Sequence, residues 1–299
     1  MFARSALLAV LSSAALVAAA PAAAITDTSI LNYALTLEFI ESAFYEQGLD
    51  QFSDIDFVLA GFAPWVRGRF TQIHAHELSH AEFLTSQLQA LGVTPVQACT
   101  YSFPYTDVQS WVTLSMTLEG VGSAAYMGAA NFISDKNVLI ASQSIAQVEA
   151  RHNGWVSSAV NQLQPWDGPY ETPLYFSQVF SLAMGFVVEC PATNPALPVS
   201  VFPALSISNA APASGDTITL TYTSNAPNNA GQTYLAWYSG LTTIFTPIVN
   251  GSTTVPDGLL GTVYAGVVAN QSAQTGDATI ITGLAVFSFP FGAFAAGNA

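Results

Sequence analysis

The chain has 299 residues, of which 51% are hydrophobic and only 8% are charged. Its 19 acidic residues against 5 basic ones give a formal net charge of −14. A surface this acidic repels the phosphates of nucleic acids and the head groups of anionic lipids, and it attracts cations. We therefore expect no nucleic-acid partner, and we expect metal ions among the ligands.

Residues 1–24 have the pattern of a secretory signal peptide. Arg4 precedes an apolar run, and small residues continue to Ala24, where cleavage fits the small-x-small rule. A transmembrane anchor is disfavoured, because Ala-rich segments insert poorly and no other apolar run reaches the roughly 20 residues that a span needs. We predict a secreted protein, extracellular or in the cell wall.

Residues 25–193 carry a helical pattern with clear stop signals at Gly92 and Pro165. The predicted long helices cover residues 28–47, 64–91, 107–133 and 137–163. An apolar stretch over residues 173–187 indicates a fifth helix. Four long helices with connections of very different length are typical of a bundle with one crossover.

Residues 194–203 contain three prolines and are interpreted as a linker, after which the pattern becomes β. Runs such as DTITLTYTSN, TYLAWYSG, GTVYAGVVAN and TIITGLAVFSF are separated by turn residues. About six or seven short strands over residues 204–299 predict an immunoglobulin-like β-sandwich. Two N-x-S/T sequons, at Asn250 and Asn270, predict N-glycosylation of this domain.

Cys99 and Cys190 are the two cysteines of the chain. In an exported protein an even number of cysteines favours a disulfide. Closing a loop of about 90 residues stabilises a fold by roughly 4–5 kcal/mol in the chain-entropy model. The alternative is a pair of buried thiols that do not meet.

The second helix contains HELSH, residues 76–80, which matches the H-E-x-x-H signature of zinc metalloproteases. An internal repeat favours another interpretation. LEFIESAFY (37–45) aligns with LEGVGSAAY (118–126), and IHAHELSHAEFLTSQLQAL (73–91) aligns with IAQVEARHNGWVSSAVNQL (145–163). The repeat keeps E-x-x-H, whereas Val148 stands opposite His76 and Ala146 opposite His74. The first His of HELSH is therefore not part of the repeated unit.

The repeated unit places one carboxylate and one imidazole on the same helix face, because residues three apart are neighbours there. Two such helices, with one Glu from each of the other two, surround a single point in the bundle. Buried together, four carboxylates need compensating cations, and mixed oxygen and nitrogen ligands suit two iron or manganese ions. The predicted ligands are Glu38, Glu77, His80, Glu119, Glu149 and His152.

The motifs LEFIESAFY, HELSHAEFL, LEGVGSAAY and EARHNG also resemble a known family, over roughly residues 26–190. The chain is similar to the ferritin-like domain proteins that include plant desiccation-related and fungal secreted stress-response proteins. This resemblance implies a ferritin-like four-helix bundle with a dinuclear site. With the β domain, the predicted fold is an α+β multidomain chain.

Several neighbours of the predicted ligands have open roles. Glu41 is an alternative to Glu38 as first-helix ligand, although we expect it to be solvated or to support a ligand. Tyr45 and Tyr126 follow Glu38 and Glu119 by two turns, so their hydroxyls could bond metal-bound carboxylates and carry an electron; the alternative is plain core packing. His74 and His76 are expected to be exposed or bonded to acidic neighbours, with an accessory surface metal site as the alternative.

The leading functional hypothesis is a secreted di-iron (or di-manganese) protein with oxidase, ferroxidase or peroxide-type chemistry toward O2 or peroxide in a stress response. A second hypothesis is non-enzymatic: the β domain binds cell-wall glycan or a protein, and the bundle is a scaffold. The third is an HELSH zinc protease, which leaves the fourth helix unexplained and lacks the Gly that a metzincin needs at position 83, where Phe83 stands.

Overall fold

The computed structural model describes residues 24–223, 231–271 and 276–294. The predicted signal peptide lies outside the described residues except for Ala24, so its cleavage stays a prediction. In the part of the chain that is described, no helix combines the length and the apolar character that a membrane span requires.

The first helical hairpin pairs α1 (Asp27–Gln51) with α3 (Val66–Ala90). Thr26 caps α1, because its hydroxyl accepts the backbone N–H of Ser29 while the Ser29 hydroxyl accepts that of Thr26. Between the two long helices lies α2 (Asp54–Leu59), a short helix that periodicity did not predict. Its six residues are fewer than two turns, too few for an apolar repeat to show.

The second hairpin pairs α4 (Val108–Ala130) with α5 (Lys136–Trp155), which continues into a π-helical turn, Val156–Val160. Asp107 and Asp135 cap the two helices with their carboxylates. The hairpins are joined at one end by Asp27, which accepts the backbone N–H groups of Ser134 and Asp135 at 2.8 and 2.7 Å.

A strand pair and a disulfide anchor the middle of the long crossover from α3 to α4. This crossover contains β1 (Thr100–Tyr101), which pairs antiparallel with β2 (Val187–Glu189), and Cys99 and Cys190 form a disulfide beside that pair. The fifth helix of the prediction is α6 (Phe176–Ala183), extended by a 3₁₀ turn, Met184–Phe186, directly before β2. The disulfide therefore ties the crossover to the end of the helical region.

Seven further strands, all in the described residues after 203, form two antiparallel sheets. One sheet has the order β3–β4–β7, and the other the order β6–β5–β8–β9. The strands are β3 (Ser206–Ile207), β4 (Thr217–Thr221), β5 (Tyr234–Ser239), β6 (Thr242–Pro247), β7 (Ser252–Thr254), β8 (Gly261–Val268) and β9 (Ala285–Phe289). Side chains of both sheets, among them Ile218 and Trp237, meet in one buried cluster.

The helices and strands also share a core. One buried cluster contains Val121 and Ala125 of α4 together with Tyr238 of β5 and Tyr264 of β8. The predicted domain limits at residues 193 and 203 stay a prediction, but the regions on either side of them are packed against each other. A separate aromatic cluster around Trp111 fills the other end of the bundle.

Candidate metal centre

The four carboxylates that the repeat singles out lie inside the helical bundle. The side chains of Glu38, Glu77, Glu119 and Glu149 are 0% exposed. Each comes from a different long helix: α1, α3, α4 and α5 in chain order. The E-x-x-H spacing adds His80 from α3 and His152 from α5 on the same inward faces.

The imidazole of His80 faces three of these carboxylates. Its Nδ1 lies 3.1 Å from Oε2 of Glu77, 3.1 Å from Oε1 of Glu149 and 3.3 Å from Oε2 of Glu38. Only the contact with Glu77 has hydrogen-bond geometry. We call His80, Glu38 and their contacts the His80 half of the centre.

The imidazole of His152 occupies the matching position in the other hairpin. Its Nδ1 lies 3.0 Å from Oε2 of Glu119 and 3.2 Å from Oε1 of Glu77. We call His152, Glu119 and their contacts the His152 half. Candidate ligand atoms fall into two groups, each within 4.8 Å, and both groups contain Glu77 and Glu149. These two carboxylates therefore stand between the halves.

The two tyrosines bind the site carboxylates crosswise. The Tyr45 hydroxyl donates to Oε1 of Glu119, and the Tyr126 hydroxyl donates to Oε1 of Glu38. Each tyrosine thus serves the glutamate of the opposite hairpin. Their rings are buried, so both hydroxyls and both carboxylates are removed from water.

The hydrogen bonds of the protein leave this cluster incomplete. Among the described residues, Oε2 of Glu38, Oε1 of Glu77 and both oxygens of Glu149 are buried without a hydrogen-bond partner. A single Nδ1–H cannot serve three carboxylates, and buried unpaired anions are costly. Two ligand atoms that bind one metal ion at right angles to each other, each at about 2.1 Å, lie about 3.0 Å apart. The nitrogen–oxygen separations in both halves are close to that value, so the residues fit a metal-ion site.

The electrostatics of the cluster are those of a cation site. Burial raises the pKa of Glu119 and of Glu149 to about 7. Burial also raises the pKa of Glu38 and of Glu77, and neighbouring carboxylates add to the effect. Burial would lower the pKa of His80, but the carboxylates of Glu149, Glu38 and Glu77 raise it to about 12. Without an ion, a proton on His80 supplies positive charge to its half.

For Glu41, the structure corrects the solvated alternative of the sequence expectation. Glu41 is not solvated: its side chain is only 4% exposed, and burial holds its pKa well above the usual range. It fills the space that its repeat counterpart Gly122 leaves, since a Cβ on Gly122 would meet Oε1 of Glu41 at 2.7 Å and Oε2 of Glu149 at 3.2 Å. The absence of a side chain at position 122 was the signal that a carboxylate could be buried opposite it.

A small apolar cavity of about 40 Å³ leads from Glu41 and Gly122 toward α6. It is lined mainly by aliphatic side chains of α1 and α4 and by Phe186. Two larger clefts lie on the other side of the bundle, about 470 Å³ beside His80 and about 520 Å³ beside His152. His80 and His152 therefore each line a surface cleft.

His76 is exposed, as one alternative of the sequence expectation has it, and its partner is another imidazole. Nδ1 of His76 lies 2.9 Å from Nε2 of His152, not against an acidic side chain. Neither candidate ligand group among the described residues includes His76 or His74. His74 is partly buried on the same helix, near Glu46 and Asp50, which raise its pKa against the larger lowering effect of burial. The spacing of four residues between His76 and His80 was the available signal, because it puts both on one face of α3.

Comparisons with known proteins agree with this architecture. The model of the ferritin-like domain family matches residues 26–162. The protein rds1 of Schizosaccharomyces pombe is 29% identical over 184 residues, which are 60% of this chain and 44% of that protein. The chain thus spans less than half the length of this curated relative.

A solved structure, the conserved hypothetical protein rv2844 of Mycobacterium tuberculosis, covers 45% of this chain and 90% of its own, with 15% identity and a TM-score of 0.38. The matched family region, residues 26–162, contains both helical hairpins and all six ligand candidates. Over residues 26–162, the chain is therefore similar to the ferritin-like domain family.

Proposed function

We propose that the chain holds two iron ions, with manganese as the alternative, between its four long helices. Glu38 and His80 hold one ion, Glu119 and His152 hold the other, and Glu77 and Glu149 are shared. The observation that carries the proposal is the pair of imidazole nitrogens, each 3.0–3.3 Å from several buried carboxylate oxygens that have too few hydrogen donors. Carboxylate and imidazole ligands of this kind suit iron and manganese.

Bound iron would supply one-electron redox chemistry toward O2 or peroxide. The protein contributes a buried ligand set. Tyr45 and Tyr126 hold the carboxylates of Glu119 and Glu38 in place by hydrogen bonds. Glu77 and Glu149 lie between the two ion positions and keep them close. The tyrosine hydroxyls are also candidates for carrying an electron during oxidation. We therefore propose oxidase, ferroxidase or peroxide-type activity, in a stress-related role as the family resemblance implies.

We further propose that the protein acts outside the cell. The Cys99–Cys190 disulfide is in keeping with an oxidising compartment. Asn250 and Asn270 are both exposed, as N-glycosylation requires. The two C-terminal sheets share a buried cluster, in which the ring centroids of Trp237 and Phe287 lie 4.9 Å apart. We propose that these sheets form an immunoglobulin-like sandwich, which binds a glycan or a protein of the cell wall.

Metal content tests the proposal directly. The full chain, purified without chelator, is measured by mass spectrometry beside a Glu77→Ala/Glu149→Ala variant and a Glu82→Ala control on the exposed face of α3. We expect about two iron or manganese ions per chain in the wild type and the control, and none in the double variant. Oxygen consumption on adding Fe(II) then tests the redox activity.

Other outcomes select the alternatives. No metal, even after anaerobic addition of Fe(II), would leave a ferritin-like scaffold whose β domain does the binding. A single zinc that survives loss of Glu149, with peptide cleavage abolished by His76→Ala, would restore the protease hypothesis. The contact of His76 with His152 fits a dinuclear centre better than it fits an empty scaffold or a zinc protease site.

A further inference from the structure

The two halves of the candidate centre differ at one contact. On α3, His76 stands one turn before His80, and its ring is nearly parallel to that of His152, with centroids 5.2 Å apart and an interplanar angle of 12°. The residue that the repeat places opposite His76 is Val148, whose side chain has no hydrogen-bonding atom. His152 therefore has an outer imidazole partner that the repeat does not supply to His80.

The contact involves the nitrogen of His152 that faces away from the carboxylates. Nδ1 of His152 is the atom beside Glu119 and Glu77, and Nε2 is the atom beside Nδ1 of His76, at 2.9 Å. An imidazole that binds an ion through Nδ1 is neutral and keeps its hydrogen on Nε2. That hydrogen is then donated to Nδ1 of His76, which fixes the tautomer and the ring orientation of His152.

His76 does not serve the site in another obvious way. Its bonded nitrogen faces a nitrogen and not the carboxylates, so it is not in position to share an ion with Glu77 or Glu119. The ring is exposed at the cleft beside Trp65 and Trp155, so burial of the ring is not the reason for its placement. Loss of such an outer partner typically lowers metal affinity by about 10–100-fold.

We infer that His76 is a positioning residue for His152 and that it makes the two metal positions unequal. The His152 half binds its ion about 10–100-fold more tightly than the His80 half, for which the described residues supply no such imidazole partner. This inference rests on the proposed dinuclear centre and adds an order to it: the His152 half fills first and the His80 half exchanges its ion more readily.

The test is a titration of the metal-free full chain with Mn²⁺ alone, followed by calorimetry and by the EPR signal of free Mn²⁺. We expect two classes of site in the wild type. His76→Leu should weaken the tighter class by about 10–100-fold and leave the weaker class unchanged. His76→Asn should restore most of the loss, because its side-chain oxygen can accept the hydrogen in place of Nδ1. His74→Leu, on the same helix but outside both ligand groups, should leave both classes unchanged.

The outcomes separate the inference from the proposed function. Two sites of equal affinity in the wild type overturn the inference and leave the dinuclear centre standing. Equal losses in His76→Leu and His76→Asn, or in His76→Leu and His74→Leu, overturn it as well, since they show a structural effect and not a hydrogen bond. A wild-type chain that binds no Mn²⁺ overturns the proposed centre and the inference together.

Discussion

Glu149 shows how strongly the centre depends on single side chains. It is fully buried, neither of its oxygens has a hydrogen-bond partner among the described residues, and Nδ1 of His80 lies 3.1 Å away. A buried carboxylate in this state must take up a proton or a cation. Because Glu77, Glu119 and Glu38 are buried in the same cluster, the free energy of the whole cluster changes with pH and with metal.

The first prediction concerns the pH dependence of the metal-free chain. Burial raises the pKa of Glu119 and of Glu149 to about 7 in the folded state, against about 4.3 in an unfolded chain. The folded state then binds more protons, so the stability from these groups is complete below about pH 4.3 and is lost as the pH rises through about 7. We expect the thermal midpoint, followed by circular dichroism, to fall between about pH 5 and about pH 8.

A Glu149→Gln variant is the control for that experiment. Its amide does not ionise, so the midpoint of the metal-free variant should change less over the same pH range. Saturating Mn²⁺ should raise the wild-type midpoint most at the alkaline end, where the carboxylates are charged and free to bind it. A wild-type midpoint that rises with pH over this range would contradict the origin assigned to the pKa shifts.

The second prediction concerns Gly122. A Cβ at this position would lie 2.7 Å from Oε1 of Glu41 and 3.2 Å from Oε2 of Glu149. We expect Gly122→Ala to lower the free energy of unfolding by about 1–3 kcal/mol and to reduce the metal content. Gly68→Ala is the matched control, because its Cβ meets nothing within 4 Å and helix propensity favours Ala by about 1 kcal/mol. Urea unfolding of both variants measures the difference, and equal effects would contradict the close packing of Glu41.

The helices that carry the ligands were the most predictable elements. The ends of the second hairpin were predicted to within a few residues from Asp107 and Pro165. Its last turn, however, is π-helical. Strand β6 was not among the predicted strands, and its pairing with β5 through a two-residue loop at Gly240 depends on the register of the sheet. The His76–His152 contact depends on the angle at which α3 and α5 meet, which one sequence does not encode locally.

The third prediction concerns the crossover. The disulfide joins residues 91 positions apart and fixes the segment between α3 and α4 to the end of the helical region. We expect a Cys99→Ser/Cys190→Ser variant to lose about 4–5 kcal/mol of unfolding free energy, measured in urea. The wild type under reducing conditions should match the variant. An unchanged urea midpoint in both would contradict a stabilising role for this bond.

The whole molecule behaves as one packed unit in the described residues. Gln178 of α6 donates to the Tyr238 hydroxyl of β5 at 3.2 Å, and both belong to the face where α4 and α6 meet β5 and β8. The sequence indicated two regions from the change of period near residue 195. It could not show that they share a core, because the apolar residues of α4 look the same whether a helix or a sheet covers them.

The fourth prediction follows from that shared core. We expect the full chain to unfold in one calorimetric transition whose calorimetric and van't Hoff enthalpies agree. A Val121→Asp variant, which places a charge in the shared core, should lower the midpoint without splitting the transition. Two separate transitions in the wild type would show that helices and sheets unfold independently.

The measurement that tests the central claim most directly is anomalous scattering at the manganese edge from crystals of the full chain grown with Mn²⁺. We predict two peaks inside the four-helix region, one against His80 and Glu38 and the other against His152 and Glu119. Both peaks should touch Glu77 and Glu149. No peak among these carboxylates, or a single peak held by His76 and His80, would contradict the dinuclear centre.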